Sequence, residues 1–581
     1  MASAPQRESA LRSSPSEPAL DGEGMKRTVG FFGLLWTSEA SIIGSGWLFG
    51  ALTAVGIAGP AALISWVIGT CIVMLIALVH AELGGLFPIS GGTSRYPHYA
   101  FGSLAGATFG WFTYLQASAT APIEVLAAIQ YSSTYKPLER LHLYSDGVLS
   151  GWGIVFAVVL MLIFTVINLI GIAFLSRVNS TLTLLKVLLP ILTIIVLIVG
   201  HFHSGNFSAG GGFFVHGAAV KSIILAVPGA IVFSLLGFEQ AVQIGGESRN
   251  PEKDLPRAVI ASIVLGATIY IGVQIAFIGA LDPTLLAHGH TWAGLVDPAT
   301  TNPALTALQS APFYEVATLA GVGWLAALLR LDAILSPSGT GLIYVTTSSR
   351  VGFGLAKSGH LPQAFEKVSG RRHIPVFGII VSTVIGLLFM LPFPSWGSLV
   401  TTVTSAGVLM YAGAPLALGA LRRQKPDLPR AYRLPFAHVL APAAFILANF
   451  IIMWSGWATY TTLMLALLIG YGLMALSAAR GYNPNRTPLD WSAGFWLFPY
   501  LIGMGAIIYF TQYGPGAIIG GIGIFKGVWT GGQGRLGLGW DMAVMAVFSL
   551  IIFYTAMAKR LPPAQVDQNI RQVYPLSVDG S

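Results

Sequence analysis

Charged residues and cysteine are both scarce in this sequence. Asp, Glu, Lys and Arg form only 9% of its 581 residues, whereas a soluble domain has about 25%. Apolar runs of about 20 residues recur along the chain and argue against a soluble protein with one large core. The single cysteine, Cys71, excludes an intrachain disulfide and a cysteine metal site. The composition therefore predicts an all-α polytopic membrane protein.

The motifs of common enzymes and channels are absent as well. The sequence has no HExxH zinc motif, no nucleophile elbow and no phosphate loop, and its histidines are scattered. It also shows no repeated pore ring or filter loop, which a channel would need. We therefore expect no enzyme, no metal and no cofactor. A channel or membrane sensor is kept as an alternative of a different class.

The apolar runs predict about fourteen transmembrane helices. They lie near 29–57, 60–83, 102–134, 152–174, 180–200, 219–245, 257–281, 314–348, 374–391, 398–420, 436–457, 459–479, 492–512 and 541–558. We expect a disordered cytoplasmic tail at 1–27, a ten-helix transport core at 28–420, four accessory helices at 435–558 and a cytoplasmic tail at 559–581. The first tail lacks the apolar region and cleavage site of a signal peptide, so the first span directs insertion.

The net charge of +8 is carried mainly by loops on one side of the predicted spans. That side holds Lys26, Arg27, Arg95, Arg177, Arg249, Lys253, Arg257, Arg350, Lys357, Lys367, Arg371, Arg372, Arg422, Arg423, Lys425, Arg430, Arg433, Arg480, Arg486, Lys559 and Arg560. The opposite loops hold mainly Lys136, Arg140, His201, His203, Lys526 and Arg535. The positive-inside rule then places both termini in the cytoplasm and the chain in the inner membrane. Lipid, and not nucleic acid, is the partner that this charge implies.

Two predicted spans are interrupted in related ways. The first contains Ile43-Gly44-Ser45-Gly46, and the sixth contains Phe233-Ser234-Leu235-Leu236-Gly237-Phe238-Glu239. They lie five spans apart, which suggests two repeats of five spans each, at 28–200 and 219–420. Because five is an odd number of crossings, the second repeat would cross the membrane in the opposite direction. Interrupted segments at corresponding positions of two halves point to a transporter binding site. Glycines that only let helices pack closely are the alternative.

A broken helix offers groups that an amino acid could satisfy. Unwinding frees N–H groups at one new end and carbonyl groups at the other. The new N-terminus suits a carboxylate, to which Ser41 and Ser45 could add hydroxyl groups, and the free carbonyls suit an ammonium. A zwitterionic amino acid therefore matches the two broken helices end for end.

Ionisable residues inside the predicted spans are the second line of evidence. They are Glu39, Glu124, Lys186, Glu239, Arg330 and Asp332. Each costs at least about 2.5 kcal/mol at a helix centre, so each is expected to line a cavity or to be paired; a structural ion pair is the alternative. Arg330 and Asp332 point apart on one helix, so each should have its partner on another span. Glu82 and Glu247, near the cytoplasmic ends, should be solvated or form gates. The aromatic candidates for a gate are Trp47, Trp111, Tyr114 and Phe233.

Several motifs together resemble the amino acid–polyamine–organocation (APC) permeases. In chain order they are Ile43-Gly44-Ser45-Gly46 with Gly59-Pro60, Phe87-Pro88-Ile89-Ser90-Gly91-Gly92 with Arg95, Tyr96 and Phe101-Gly102, Gly237-Phe238-Glu239 with Glu247-Ser248-Arg249-Asn250-Pro251 and Leu255-Pro256-Arg257, and Ser349-Arg350 with Ala356-Lys357-Ser358-Gly359-His360-Leu361-Pro362. The match runs from about residue 29 to 430. It implies a LeuT-like fold of five plus five helices, whose discontinuous first and sixth helices meet at the substrate.

The resemblance also implies roles for single residues. It places the substrate carboxylate at Ser41, Gly44, Ser45 and Gly46, with Ile43 lining the same site, and the amine end at Phe233, Ser234, Leu235 and Leu236. Lys186 matches a fifth-span lysine that, in proton-coupled relatives, bridges the first and eighth spans while protonated and loosens them when neutral. Glu239 matches an acid on the cytoplasmic side of the site.

Some residues depart from the general family pattern. Glu39, Glu124, Arg330 and Asp332 resemble instead a bacterial subgroup of aspartate–proton symporters. Arg330 could pair with a second substrate carboxylate, but the acids could equally select a cation, so the substrate stays open. The last two spans exceed the usual twelve, and the last four are expected to be peripheral.

The leading prediction is a secondary active transporter that imports an amino acid, acidic ones included, by proton symport and alternating access around a midplane site. An amino acid or polyamine exchanger on the same fold is the alternative. The candidates for proton coupling or gating are Lys186, Glu239, Glu39, Asp332 and Glu124. The expected partners are an amino acid, protons and lipid; the sequence leaves the oligomeric state open.

Overall fold

The structure is a computed structural model that describes residues 27–145, 148–170, 172–214, 219–287, 291–369, 374–390, 396–484, 488–514, 516–517 and 530–573. The predicted tails lie outside the described residues up to residue 26 and from residue 574 onward. Several basic residues of the topology prediction also lie outside them: Lys26, Arg371, Arg372, Arg486, Lys526 and the side chain of Arg177.

Helices make up most of the described chain. The first group is α1 (Phe31–Ile42), α2 (Ser45–Ala58), α3 (Ala62–Leu86), α4 (Gly92–Phe101), α5 (Ser103–Ser132), α6 (Lys136–Glu139), α7 (Gly151–Ile170) and α8 (Ile172–Gly200). The second group is α9 (Ala219–Ala226), α10 (Val232–Leu235), α11 (Gln240–Gln243), α12 (Pro251–Ala280), α13 (Pro303–Ser310), α14 (Pro312–Leu319), α15 (Gly323–Lys357), α16 (Val376–Phe389) and α17 (Trp396–Gln424). The last group is α18 (Ala437–Ser455), α19 (Trp457–Ala479), α20 (Trp491–Gly494), α21 (Leu497–Phe510), α22 (Trp540–Lys559) and α23 (Pro563–Val573).

Short elements connect these helices. Two antiparallel pairs of strands occur among the described residues, β1 (Tyr144–Ser145) with β2 (Val148–Leu149) and β3 (Gly516–Ala517) with β4 (Thr530–Gly531). Turns of 3₁₀ helix lie at Gly59–Ala61, Ser204–Ser208, Gly245–Glu247, Pro283–Leu286, Trp292–Val296 and Gln363–Glu366. One turn of π-helix, Val227–Ile231, joins α9 to α10.

Nine segments of the described chain are long and apolar enough to cross a bilayer. They are Ser45–Leu86, Gly151–Ile170, Thr183–Gly200, Pro251–Ala280, Leu399–Gln424, Ala437–Ser455, Trp457–Ala479, Trp491–Phe510 and Trp540–Lys559. The helix α5 is not among them, although almost all of its side chains are buried. It runs through the middle of the protein against α15 and α17, so its polar groups do not meet lipid. The all-α membrane fold is as predicted, whereas fourteen crossings and two five-helix repeats stay predictions.

Both described ends of the chain lie on one face of the helical body, here called the terminal face. Val29 forms a parallel bridge with Ser248, just after the sixth predicted span, and Ser90 pairs with Ile244. At the other end, the backbone N–H of Leu561 donates to the carbonyl of Ala100, 3.1 Å away. The loops that follow α3, the sixth span and α22 therefore meet on this face.

Candidate functional site

The first predicted span is broken at Ile43 and Gly44. The helix α1 ends at Ile42, and α2 begins at Ser45, with Gly44 at φ −119° and ψ −139° between them. A Cβ atom on Gly44 would stand 2.6 Å from Thr340 Oγ1 and 2.9 Å from both carboxylate oxygens of Glu124. Glycine is needed here because the backbone approaches two other spans too closely for a side chain.

The sixth predicted span is broken where it faces the first. Its helix passes through the π turn that contains Pro228, becomes extended at Leu236 (ψ 141°) and turns at Gly237 with φ 125°. A Cβ atom on Gly237 would lie 2.7 Å from Ser41 Cβ and 2.8 Å from Ile42 N. The two breaks are therefore in direct backbone contact.

A carboxylate already occupies the new N-terminus of α2. The backbone N–H of Ser45 donates to Glu124 Oε2 at 2.7 Å, and Ser45 Oγ donates to Glu124 Oε1 at 3.0 Å. We call these two donors, with Gly44 and Gly46 beside them, the Ser45 cradle. Trp396 Nε1 donates to Ser45 Oγ at 2.9 Å and so orients the hydroxyl toward the carboxylate. The N-terminal end of a helix dipole and two donors suit a negative charge.

Lys186 joins the first and eighth predicted spans, as the resemblance implies. Its amine donates to the carbonyl of Ala40, at the end of α1, and to Thr340 Oγ1 of α15 at 2.7 Å. Thr340 Oγ1 in turn donates to the same Ala40 carbonyl at 2.7 Å. The side chain of Lys186 is fully buried, so these contacts replace its hydration.

Three of the predicted acids surround this amine. Glu39, Glu124 and Asp332 are all buried and interact electrostatically with Lys186. Asp332 accepts a hydrogen bond from Trp47 Nε1 at 3.1 Å. Neither carboxylate oxygen of Glu39 has a hydrogen-bond donor within the part of the chain that the structure describes.

Glu239 lies apart from that cluster and closes the sixth-span break. Its carboxylate accepts hydrogen bonds from the N–H of Gly237 at 3.0 Å, from Tyr411 Oη at 2.7 Å and from Gln240 Nε2 at 2.9 Å. Three donors compensate its burial, so it stabilises the unwound segment and links it to α17.

The other predicted substrate residues lie around the two breaks. The carbonyl of Ile43 accepts from Ser336 Oγ at 3.2 Å. Ser41 Oγ donates to the Thr37 carbonyl at 2.9 Å, and Ser234 Oγ donates to the Ala230 carbonyl at 2.9 Å. Leu235 is fully buried. A cavity of about 10 Å³ remains between the breaks; it is lined by Ser41, Ile42, Gly44, Gly46, Thr120, Glu124, Phe233, Leu236 and Tyr344. It has room for about one water molecule, so this conformation is closed.

Arg330 is not brought into the acidic cluster. Its guanidinium donates to Tyr314 Oη at 2.5 Å and lies 4.1 Å from the centre of that ring. Asp332, two residues on, points the other way to Trp47. The prediction of a partner on another span is therefore confirmed for Asp332. Tyr314 lies in the same predicted span as Arg330, whose guanidinium also donates to the carbonyl of Thr134, 3.5 Å away at the end of the third predicted span. A contact of Arg330 with substrate stays a prediction.

Replacement of Arg330 by alanine tests that contact. We expect uptake of an acidic and a neutral amino acid to fall by the same few-fold factor, because a cation–ring contact of about 0.5–2 kcal/mol is lost in both cases. The measurement is the initial uptake rate of both amino acids in proteoliposomes. Tyr314→Phe, which removes only the hydroxyl acceptor, should cause a smaller loss. A loss confined to the acidic substrate would instead place the guanidinium at a substrate carboxylate.

Aromatic residues cover the breaks on the side opposite the terminal face. Trp396 packs edge-on against Phe233, with ring centres 5.7 Å apart, and its ring is tilted against that of Phe49, with centres 4.8 Å apart. Two predicted gate residues lie elsewhere: Trp111 Nε1 donates to the carbonyl of Ala466 in α19, and Tyr114 pairs with Ser382 of α16. The structure therefore places Phe233 and Trp47 at the breaks and adds Trp396 to them.

Buried ion pairs close the terminal face. Glu247 pairs with Arg350 at 3.2 Å, and Glu82 pairs with Arg422 at 2.5 Å and Arg430 at 3.0 Å. Both acids are buried, so the alternative that they are solvated is wrong. Each pair ties together spans that are distant in sequence.

Sequence reasoning missed several of these residues. Thr340, Trp396 and Tyr270 each contact the first break, the last through a 2.7 Å hydrogen bond from its hydroxyl to the carbonyl of Ile42. Ser38 bridges the two breaks, since its hydroxyl donates to the carbonyl of Phe238 at 3.0 Å. Hydroxyl and indole groups in an apolar span carry no charge, so the sequence held no signal that separated them from packing residues.

Comparison with known proteins identifies the family. The family model described as amino acid permease matches residues 29–474. The chain belongs to this family, which is part of the APC superfamily. The resemblance deduced from the motifs is thus confirmed, and the chain is a multi-pass membrane transporter of amino acids and not an enzyme.

Individual permeases of this family align with almost the whole chain. The glutamate/serine transporter AimA of Bacillus subtilis is 34% identical over 541 residues, which cover 92% of this chain and 94% of the relative. The aspartate-proton symporter of the same organism is 33% identical over 549 residues, or 93% and 98% of the two chains. The branched-chain amino acid permease BcaP of Bacillus subtilis is 26% identical over 485 residues, which cover 81% of this chain and 97% of the relative.

Proposed function

We propose that this permease imports an amino acid by proton symport across the cytoplasmic membrane, with its terminal face in the cytoplasm. The proposed substrates are acidic amino acids, with small neutral ones as a second group. Two relatives support these substrates: one is a glutamate/serine transporter and the other an aspartate-proton symporter. Both match this chain over more than nine tenths of its length.

The main support for proton coupling is the position of the Lys186 amine. It holds the end of α1 to α15 through Ala40 and Thr340. A protonated amine has three N–H donors, whereas a neutral amine has two and no charge, so deprotonation weakens this link. Loss of the proton would therefore free α1 to move relative to α15.

The charges around Lys186 support the same proposal. One ammonium cannot balance three ionised carboxylates in a buried site, because each uncompensated charge is very costly there. Protons or another cation must therefore enter when the cluster is desolvated. Glu39, with no donor to either oxygen among the described residues, is the acid with least support for a negative charge.

The two breaks supply the proposed substrate site. The Ser45 cradle would hold the substrate carboxylate, and the unwound segment from Phe233 to Leu236 would hold the amine end. The covers on the two sides would then open in turn. Trp396 on Phe233 would form the outer cover, and Glu247 with Arg350 would form part of the inner one.

Uptake into proteoliposomes tests this function. We expect labelled aspartate or glutamate to accumulate above the external concentration when an inward proton gradient is imposed, with or without sodium. Leucine, chosen as a large neutral amino acid, should accumulate less. Dissipating the gradient with a protonophore is the control and should reduce uptake to equilibration. Accumulation that follows a sodium gradient and ignores pH would contradict the proposal.

The same vesicles separate symport from exchange. A symporter fills empty vesicles, whereas an exchanger needs unlabelled substrate inside before labelled substrate enters. We expect gradient-driven uptake into empty vesicles. Uptake only into loaded vesicles would favour an amino acid or polyamine exchanger.

A further inference from the structure

Glu124 binds in the place that the proposed function gives to the substrate. Both of its carboxylate oxygens accept hydrogen bonds from Ser45, one from the backbone N–H and one from the hydroxyl. The same geometry would serve the carboxylate of an amino acid at the N-terminus of α2. The closed transporter thus carries an internal carboxylate ligand on its own α5 helix.

The site has no room for two carboxylates. The cavity between the breaks measures about 10 Å³, far less than a bound amino acid needs. Gly44 already lies so close to Glu124 that even a methyl group would overlap both carboxylate oxygens at 2.9 Å. Two negative carboxylates side by side in this buried site would also repel each other strongly. Substrate can enter the cradle only when Glu124 has left it.

We propose that Glu124 is a tethered competitor of the substrate, whose carboxylate fills the Ser45 cradle of the empty closed transporter and leaves it with the uptake of one proton when substrate binds. The proton comes from water, adds to a carboxylate oxygen of Glu124, and removes the charge that Ser45 and the helix dipole attract. The substrate carboxylate then accepts the two Ser45 donors. This inference rests on the proposed use of the cradle for substrate.

Protonation is favoured over a simple change of ion-pair partner. The nearest cation, Lys186, already donates to Ala40 and Thr340 and faces two further acids. The titratable groups that face Glu124 or this amine come from α1, α8, α12 and α15: Glu39, Lys186, Tyr270, Tyr344 and Asp332. Acids outnumber the single cation in this set. Within the described part of the chain, an ionised Glu124 displaced by a substrate carboxylate would therefore have no unshared positive partner.

The proposal explains why a costly acid stands at this point of α5. If neither substrate nor Glu124 occupied the Ser45 cradle, its donors would be buried without an acceptor. Glu124 fills that need at high pH and withdraws at low pH. Binding of substrate and binding of a proton then become linked at one pair of donors, so that each favours the other.

Calorimetry on purified protein in detergent tests the inference at equilibrium, without any gradient. The ligand titrated is glutamate, one of the two acidic amino acids of the uptake experiment. We expect its affinity for the wild-type protein to weaken as the pH rises from 6 to 8. In Glu124→Gln, which has no charge to be displaced, the affinity at pH 8 should be about tenfold tighter and should depend less on pH than in the wild-type protein, since a charge-assisted pair no longer competes.

Proton uptake is the second readout. Titrations in buffers with different ionisation enthalpies report the protons bound with each ligand. The wild-type protein at pH 8 should take up one more proton per ligand than Glu124→Gln does. Asp541→Asn is the matched control, because it removes a buried acid from α22, outside both breaks, where the N–H groups of Gly539 and Met542 bind it. It should neither tighten binding nor remove the proton.

A shorter acid keeps the test open if Glu124→Gln does not fold. Glu124→Asp retains the negative charge, but its side chain is one methylene shorter, so the carboxylate lies farther from Ser45 and competes less. This variant should therefore bind ligand more tightly than the wild-type protein at pH 8. Unchanged or weaker binding in both variants, or an unchanged proton count in Glu124→Gln, would overturn the inference. Such a result would leave symport itself untouched, because symport is judged by gradient-driven uptake in vesicles. Conversely, uptake that ignores pH would refute symport and leave the binding result readable.

Discussion

Replacement of Lys186 by methionine is expected to abolish accumulation driven by a proton gradient. Methionine fills a similar volume but cannot donate to Ala40 or Thr340, which Lys186 holds together. Without a protonated amine to tie α1 to α15, the conformational change no longer depends on a proton. The measurement is uptake in proteoliposomes with and without an imposed gradient, where the two curves should coincide. Exchange of labelled for unlabelled substrate should persist at a reduced rate, because the Ser45 cradle is intact.

Two controls separate coupling from folding in this experiment. Removing one partner of a buried charged cluster costs about 3–5 kcal/mol, so the thermal stability of Lys186→Met must be measured alongside uptake. Lys136→Met removes an exposed lysine and should leave accumulation at the wild-type level. Gradient-driven accumulation that survives in a folded Lys186→Met protein would contradict the coupling role. A protein that no longer exchanges substrate would show instead that Lys186 supports the site itself.

Replacement of Gly237 by alanine is expected to be the most damaging change at the breaks. The residue has φ 125°, where a side chain costs about 1–2 kcal/mol. Its Cβ atom would also lie 2.7 Å from Ser41 Cβ and 2.8 Å from Ile42 N. Overpacking of this kind costs about 1–3 kcal/mol more, and backbone atoms cannot swing aside as a flexible side chain can. We expect a lower melting temperature in detergent and no measurable uptake.

Gly321 provides a matched control for this substitution. It too has a positive φ, 75°, but no atom lies within 4 Å of the position that its Cβ would take. Gly321→Ala should therefore show only the backbone strain, with a smaller fall in melting temperature and retained uptake. If the two variants were equally stable, the close contact of the first and sixth breaks would not hold in the membrane.

The paired glycine-rich interruptions illustrate what could be predicted from sequence. Gly44 and Gly46 in one span and Gly237 in another mark points where a regular helix is locally unfavourable. Polar residues beside them in otherwise apolar spans gave the signal for a site, and the structure places the two breaks against each other. The same reasoning identifies Lys186, because an ammonium in an apolar span needs a partner.

Partners across the bundle could not be predicted in the same way. The sequence marks Glu124 as a costly acid inside a span, but its contact with Ser45, 79 positions earlier, follows from the packing of α5 against the broken first span. Arg330 had the same signal as Asp332, and yet one contacts Tyr314 and the other faces Lys186. Because Arg330 and Asp332 are two positions apart on α15, their side chains point to opposite sides of the helix. Which of these sides faces the site depends on the neighbouring helices.

The sequence by itself determined that this protein is a membrane protein, that two of its spans are broken, and which family it belongs to. These follow from composition, from glycines and charges in apolar runs, and from motifs in order along the chain, which are all local properties. Only the tertiary structure decided that the first break holds the carboxylate of Glu124 and that Thr340 and Trp396 complete the site. The physical reason is that a buried polar group is satisfied by whichever donor or acceptor the packing brings near, and packing is set by contacts between distant parts of the chain.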